Sequence, residues 1–579
     1  MFLITNRLGG YALLDNSSFS RYGGIFFREN NKVMKVIEDI KVKDKTIRLN
    51  SKDYSIIRQS KKSRQTFFMP QGFNCIVYES NNKVDSELLL DVKESYDNRE
   101  FGRDYEIEEQ DGIILITFTK FSDNKEDDSH GQEEYEAFIA IKTKENDFFK
   151  SEQFKEVLFN YDKQRGSYPE NRFVYSALHL KTKKAVISFS FEKEKAIHDA
   201  QFVYDNITPL KKTEKTHNNA IISPKSIKKV SGLTGRALRS SLIALDQLLV
   251  KNKRIYAGLP WFFQYWSRDS AICLKGVYLL GKRITSKNIL ISLLGNLQKD
   301  GNISNRNPPT DLGCADAVGW TFFRAAELWK KNIFISSEKK LIEKKLSTSI
   351  RLLLKHHTEN GFAHNNAQET WMDTVYKGDT REGCRIEIQA MRLFMYRFMY
   401  DLSQRQYYKK LELSLKKKVL SNFWNGKILA DGLNDWTIRP NIFIAYYIYP
   451  QLLSKEEWKK CFKTALKHLW LKWGGLSTIE KHHPLYYETY SGEIPDSYHR
   501  GDSWFWINNL AAICMTRLNK KTFKHYIDTI KSASIKEILD SGIIGSHAEL
   551  SSASSLQSQG CPSQAWSLAM FIELITELN

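Results

Sequence analysis

From residue 231 onward the chain reads as about twelve helical segments in succession, and that count limits the available folds more than any other feature. The segments run approximately 231–250, 268–281, 286–298, 315–330, 336–356, 384–401, 404–423, 440–450, 455–468, 503–517, 520–538 and 562–578. Several are apolar nearly all round, as in Ser270–Leu280 (SAICLKGVYLL) and Ala565–Leu574 (AWSLAMFIEL). Helices of that kind belong to an inner layer covered on both sides. No short-period repeat accompanies them, which argues against a solenoid. The expected architecture over 231–579 is an (α/α)6 barrel, six inner helices within six outer ones.

Residues 1–206 have the opposite character. Gly112–Phe121, Ala137–Thr143, Ala185–Phe191, Phe73–Tyr78 and Phe173–Leu180 are alternating or continuous β-rich runs bounded by Asn, Asp, Gly and Lys. They predict an antiparallel β-sandwich. An acidic insert at 123–136 reads as a long solvated hairpin loop, without the ligand spacing of an EF-hand. The polar, lysine-rich stretch 207–230 reads as a linker. At 579 residues the chain exceeds one ordinary core, in keeping with two domains.

The formal charge of +19 does not by itself call for nucleic acid. The lysines are dispersed, and short clusters such as Lys61, Lys62 and Arg64 lack interleaved aromatics, so a solvated basic surface is expected, with no nucleic-acid partner. Seven cysteines, odd in number and widely spaced, form no CxxC and no Cys/His cluster; reduced thiols in the cytoplasm are expected. The amino terminus lacks the basic and continuous apolar regions of a signal peptide. No apolar run reaches the ~18 residues of a membrane span, so no membrane partner is expected. The sequence carries no signal for an oligomeric state.

Long aromatic-rich loops fall between one helix pair and the next, at 253–266, 299–313, 357–383, 426–439, 470–503 and 542–561. In a barrel they gather at one end, and loops of that length in a compact domain are usually functional. Their Trp, Tyr, Asp, Glu, Asn and Arg content suits sugar: aromatic faces stack on a pyranose while acids and amides bind its hydroxyls. In one of them Asp373 follows Trp371 and Met372, the surroundings in which a raised carboxyl pKa is built. Arg268 and Asp269 open an inner helix just after Trp266, placed either to cap that helix or to grip two sugar hydroxyls. His499 and Asp502 precede an aromatic helix that begins near Trp504, and Glu549 lies in the last long loop. Two carboxyls facing each other across a pocket, Asp373 and Glu549, are the minimum equipment for glycoside hydrolysis.

A set of ordered motifs carries a family resemblance along nearly the whole chain. TNRLGGY (Thr5–Tyr11) and RYGG (Arg21–Gly24), AGLPWF and WSRDS (within 257–270), ADAVGW (Ala315–Trp320) and TWMD (Thr370–Asp373) occur in order. R-x-G (Arg381–Gly383), EIQA (Glu387–Ala390), RPN (Arg439–Asn441), YHRG (Tyr498–Gly501) and GCPSQAWS (Gly560–Ser567) follow. The chain resembles the archaeal and bacterial amylo-α-1,6-glucosidases, the family of the glucosidase half of glycogen debranching enzyme, and more distantly the glucoamylases. It departs from the pattern at Gly23, where the family has histidine, and in the run SSASSLQSQ after Glu549.

The resemblance implies Asp373 as general acid and Glu549 as general base of an inverting, exo-acting hydrolase. It implies Arg268 and Asp269 as the grip on the non-reducing glucose, and Trp266, Trp371, Trp504, Asp316 and His499 as further parts of the sugar site. Glu387 would bind sugar or position Arg381. The implied substrate is an α-1,6-linked glucosyl stub on glycogen or another branched α-glucan, with no cofactor or metal. No glucanotransferase half precedes the barrel, so glucosidase activity alone is expected. A glucoamylase-like enzyme acting on α-1,4 links or short oligosaccharides, and a non-catalytic glycan-binding protein, are the alternatives.

Overall fold

The computed structural model of the protein describes residues 1–15, 19–52, 54–121, 134–144 and 147–579. The chain divides into two compact units, Met1–Pro224 and Lys225–Asn579. The acidic insert falls outside the described residues over 123–133.

In the first unit, thirteen antiparallel strands form the sheet among the described residues. Two strands of twenty residues each, Cys75–Glu94 and Asn171–Ser190, run through its middle and pair with each other from Tyr175↔Leu90 to Ser188↔Cys75. The register shifts at Ser176/Leu178 and Thr182/Lys184, and the partner on the strand's other side changes across the second of these. The first half of Asn171–Ser190 pairs with Phe148–Leu158, the second with Tyr135–Thr143. Bulged strands that change partners in this way let one continuous sheet supply the layers of a sandwich. The runs read separately from the sequence at 173–180 and 185–191 are therefore halves of one strand.

The stretch 207–230 is not an open linker. Helices occupy Lys193–Asp205 and Ile207–Ile222, and the first packs Ala196, Ala200 and Val203 onto the sheet against Ile113, Leu115 and Val77. Ile207 of the second joins the same cluster. Its buried face also carries Glu214 and Asn218, which accept hydrogen bonds from Arg7 at 2.6 and 3.2 Å. Half of that face is polar, so hydrophobic periodicity does not reveal it.

The second unit holds the twelve long helices, numbered here α1 to α12: Gly232–Gln247, Ser267–Leu279, Arg283–Gly295, Ala317–Trp329, Ser336–His356, Ile386–Ser403, Gln406–Phe423, Asn441–Ile448, Lys455–Leu469, Phe505–Asn519, Lys524–Asp540 and Ala565–Leu578. The even-numbered helices pack in a closed ring, α2–α4–α6–α8–α10–α12 and back to α2. They are buried on all sides; in α12 every residue from Ala565 to Ile575 is inside. The odd-numbered helices bury one stripe each, as in α5, where Ile342, Leu346, Ser349, Ile350 and Leu353 face inward. This is the (α/α)6 barrel.

A buried carboxylate ties the inner ring together. Glu573 of α12 accepts from Lys275 of α2 at 2.6 Å, from Arg324 of α4 at 3.3 Å and from Arg517 of α10 at 3.4 Å, and from the phenol of Tyr447 on α8. Burial alone would raise its pKa, but the three cations outweigh that and lower it to about 2.

Candidate active site

The inner helices α2, α6, α10 and α12 present their amino-terminal ends, and the loops that lead into them, around one pocket of about 180 Å³. Trp266, Arg268 and Asp269 come from the entry to α2, and Trp371 and Asp373 from the loop before α6. Tyr498 and Trp504 precede α10, while Glu549, Gln564 and Trp566 come from the loop before α12 and its first turn. Each helix entry in this ring leaves unpaired N–H groups and a positive dipole end, which favours anionic side chains there.

Asp373 keeps its carboxyl open to the pocket, with the side chain 38% exposed. Its Oδ2 accepts from Arg268 Nη1 at 3.3 Å. Desolvation by the surrounding walls pushes its pKa above the ordinary carboxylate value, against the opposing pull of Arg268. Arg268 is fixed from behind. Its Nε lies 2.8 and 2.9 Å from the two oxygens of Asp316, and its Nη2 is 3.4 Å from the Glu369 carbonyl. Asp269, one residue on, is buried and accepts from Gln564 Nε2 at 3.2 Å. Burial pushes the Asp269 carboxyl up to about 7; Arg268 opposes the shift, and the neighbouring charges of Glu549 and Asp373 add to it.

Glu549 is buried, and its two oxygens receive different donors. Tyr498 O–H donates to Oε1 at 2.6 Å and the Cys561 N–H to Oε2 at 2.8 Å. Both donors suit a carboxylate, which only accepts. Gly560, at φ +65°, lies against the same group; a Cβ there would stand 2.4 Å from Oε2. The loop is pinned from outside by His547, whose Nδ1 lies 2.6 Å from Glu537 on α11.

The aromatic walls interlock. Trp371 donates its indole N–H to Asn441 at 2.7 Å and meets Trp504 and Trp506 edge-on, at 5.6 and 5.1 Å. Trp504 donates to the Tyr498 carbonyl at 2.7 Å. The segment following Asp373 is held by Asp379, which accepts from Arg439 at 2.8 Å and from Arg500 at 2.9 Å.

Of the residues expected at the site, Trp266, Arg268, Asp269, Trp371, Asp373, Trp504 and Glu549 line the pocket together. Asp316, Arg381, Glu387 and His499 are absent from its wall and bond to neighbouring protein groups behind it. Asp316 backs Arg268. Arg381 donates to both oxygens of Glu387 at 3.0 and 3.3 Å and pairs with Asp431 at 3.0 Å, forming a buried brace beneath the loop. His499 stacks on Trp504 at 5.1 Å with Nδ1 2.9 Å from Thr374 Oγ1. Burial and the nearby guanidinium groups of Arg500 and Arg439 hold its pKa well below the usual value, so it is a neutral support for the tryptophan. Five wall residues, Ala257, Phe262, Tyr498, Gln564 and Trp566, are not among the residues expected from the sequence, although each lies within one of the motifs AGLPWF, YHRG and GCPSQAWS.

The family model described as amylo-alpha-1,6-glucosidase matches residues 243–573. A bacterial glucoamylase solved in complex with acarbose aligns with a TM-score of 0.60 over 99% of this chain and 93% of its own, at 11% identity, which shows a common fold. A GH63 mannosylglycerate hydrolase from Thermus thermophilus aligns with a TM-score of 0.45, 12% identity, and coverage of 57% of this chain and 98% of its own. The family match takes in more than half of the chain, including both pocket carboxyls, and the protein belongs to the amylo-alpha-1,6-glucosidase family of glycoside hydrolases.

Proposed function

We propose that the protein releases glucose, one unit per turnover and with inversion, from α-1,6-linked glucosyl stubs of glycogen or a limit dextrin. The observation that supports this most is the meeting of Asp373 and Glu549 on one pocket in contrasting settings. Asp373, raised by desolvation, protonates the glycosidic oxygen as it leaves. Glu549, held as an acceptor by Tyr498 and Cys561, takes a proton from the water that attacks the anomeric carbon on the opposite face. Inversion calls for about 6.5–9.5 Å between the two carboxyls, leaving room for that water. Arg268 and Asp269, on the same wall, are placed to hold the terminal glucose and so to favour exo action. The seven cysteines are buried thiols, which suits a reducing, cytoplasmic setting.

Initial rates on panose, isomaltose and maltose test the linkage, with Asp373→Asn and Glu549→Gln as controls. Faster release from the α-1,6 substrates, lost in both variants, is expected. Maltose cut far faster than the others would make the protein a glucoamylase-like enzyme, and hydrolysis surviving both substitutions would remove the catalytic assignment.

A further inference from the structure

Gln564 lies where the two-residue ladder Gly258–Leu259 with Ser563–Gln564 meets the start of α12, and it is 2% exposed. Its backbone N–H donates to the His547 carbonyl at 2.9 Å, which fixes the residue in the wall. One end of its side-chain amide, Nε2, donates to Asp269 Oδ1 at 3.2 Å. The other end, Oε1, is buried with no hydrogen-bond partner. The space it occupies is made by Gly258: a Cβ there would lie 2.3 Å from Oε1. A buried polar atom left unpaired in the wall of an open pocket is an acceptor that a ligand's donor satisfies.

We infer that Gln564 is a substrate-positioning residue, its side-chain amide bonding a single hydroxyl of the terminal glucose beside the group held by Asp269. This rests on the reading of the pocket as a glucose site. The amide then couples two contacts, one to the sugar and one to Asp269, and makes the pocket sensitive to the presence of that one hydroxyl. A site built to pair a hydroxyl rejects an analogue that lacks it, because its own polar group is left bare.

Calorimetric binding of D-glucose and of its 2-, 3-, 4- and 6-deoxy derivatives to the wild type and to Gln564→Met tests this without requiring turnover. The wild type is expected to bind the deoxy sugar that lacks the paired hydroxyl about tenfold more weakly than glucose. Gln564→Met is expected to bind glucose about tenfold more weakly and to lose discrimination at that hydroxyl while keeping it at the rest. Equal weakening for every sugar would mean that Gln564 acts only through the scaffold, and unchanged discrimination would mean that it touches no sugar; either overturns the inference. A wild type that hydrolyses α-glucosides while Gln564→Met keeps full discrimination refutes this inference alone, whereas absent hydrolysis with hydroxyl-specific binding refutes only the catalytic reading.

Discussion

Tyr498 donates its phenolic proton to Glu549 Oε1 at 2.6 Å, while the opposite oxygen of the same carboxyl takes the Cys561 N–H at 2.8 Å. The side chain comes from the loop before α10 and its acceptor from the loop before α12, so the orientation of the proposed base depends on two separate loops. Tyr498→Phe keeps the ring and removes the donor. A charge-assisted hydrogen bond contributes roughly 1.5–3 kcal/mol, so kcat is expected to fall about tenfold to a hundredfold with little change in KM. An unchanged kcat would separate Tyr498 from the base.

Asp373 has to carry a proton to act as the acid. Its pKa is raised by desolvation, so activity is expected to persist above the pH at which an ordinary aspartate is ionised, then to fall as pH rises through the raised value. Asp373→Asn should lower kcat/KM on an α-1,6 disaccharide by about 10²–10⁴-fold. The same variant should retain far more of its activity on α-glucosyl fluoride, whose leaving group needs no proton. Equal losses on both substrates would show that Asp373 has another role.

Gly560→Ala tests the space around the base. The residue sits at φ +65°, and the new methyl would lie 2.4 Å from Glu549 Oε2. Displacement of a reacting group by about 1 Å costs on the order of 10²-fold in rate, and a loss of that size is expected in kcat. Activity close to that of the wild type would mean that the loop absorbs the methyl without moving Glu549.

The Glu573 cluster predicts how stability depends on acid. A carboxyl lowered to about 2 in the folded state contributes stability that is fully present above the ordinary unfolded pKa and is lost as pH falls toward 2. The contribution at neutral pH is about 3 kcal/mol. Glu573→Gln, which leaves the buried Arg324 beside a neutral amide, should lower Tm at pH 7 and flatten the acid dependence of Tm between about pH 4.5 and 2. An unchanged slope would assign acid unfolding to other carboxyls.

The barrel was legible in the sequence because several inner helices are apolar nearly all round while the outer helices carry one stripe, so the two layers differ in pattern as well as in place. The sandwich was legible as β-rich runs, but its two longest strands read as fragments because their bulges interrupt the alternation. The helix Ile207–Ile222 was missed for a chemical reason: Glu214 and Asn218 supply half of its buried face and accept hydrogen bonds from Arg7, some two hundred residues earlier in the chain. The same limit applies in the pocket. Asp373, Glu549 and the Arg268–Asp269 pair stand out as residues, whereas the partners that define their states are remote in sequence. Asp269 meets Gln564 across 295 residues and Arg268 meets Asp316 across 48, and no local pattern records such pairings.

The anomeric form of the first glucose released tests the central claim most directly. With a defined α-1,6 substrate such as isomaltose, followed by proton NMR before mutarotation, β-glucose is predicted, because a water activated by Glu549 attacks the face opposite the bond that Asp373 protonates. α-Glucose as the first product would contradict the account and require a covalent intermediate on one of the two carboxyls.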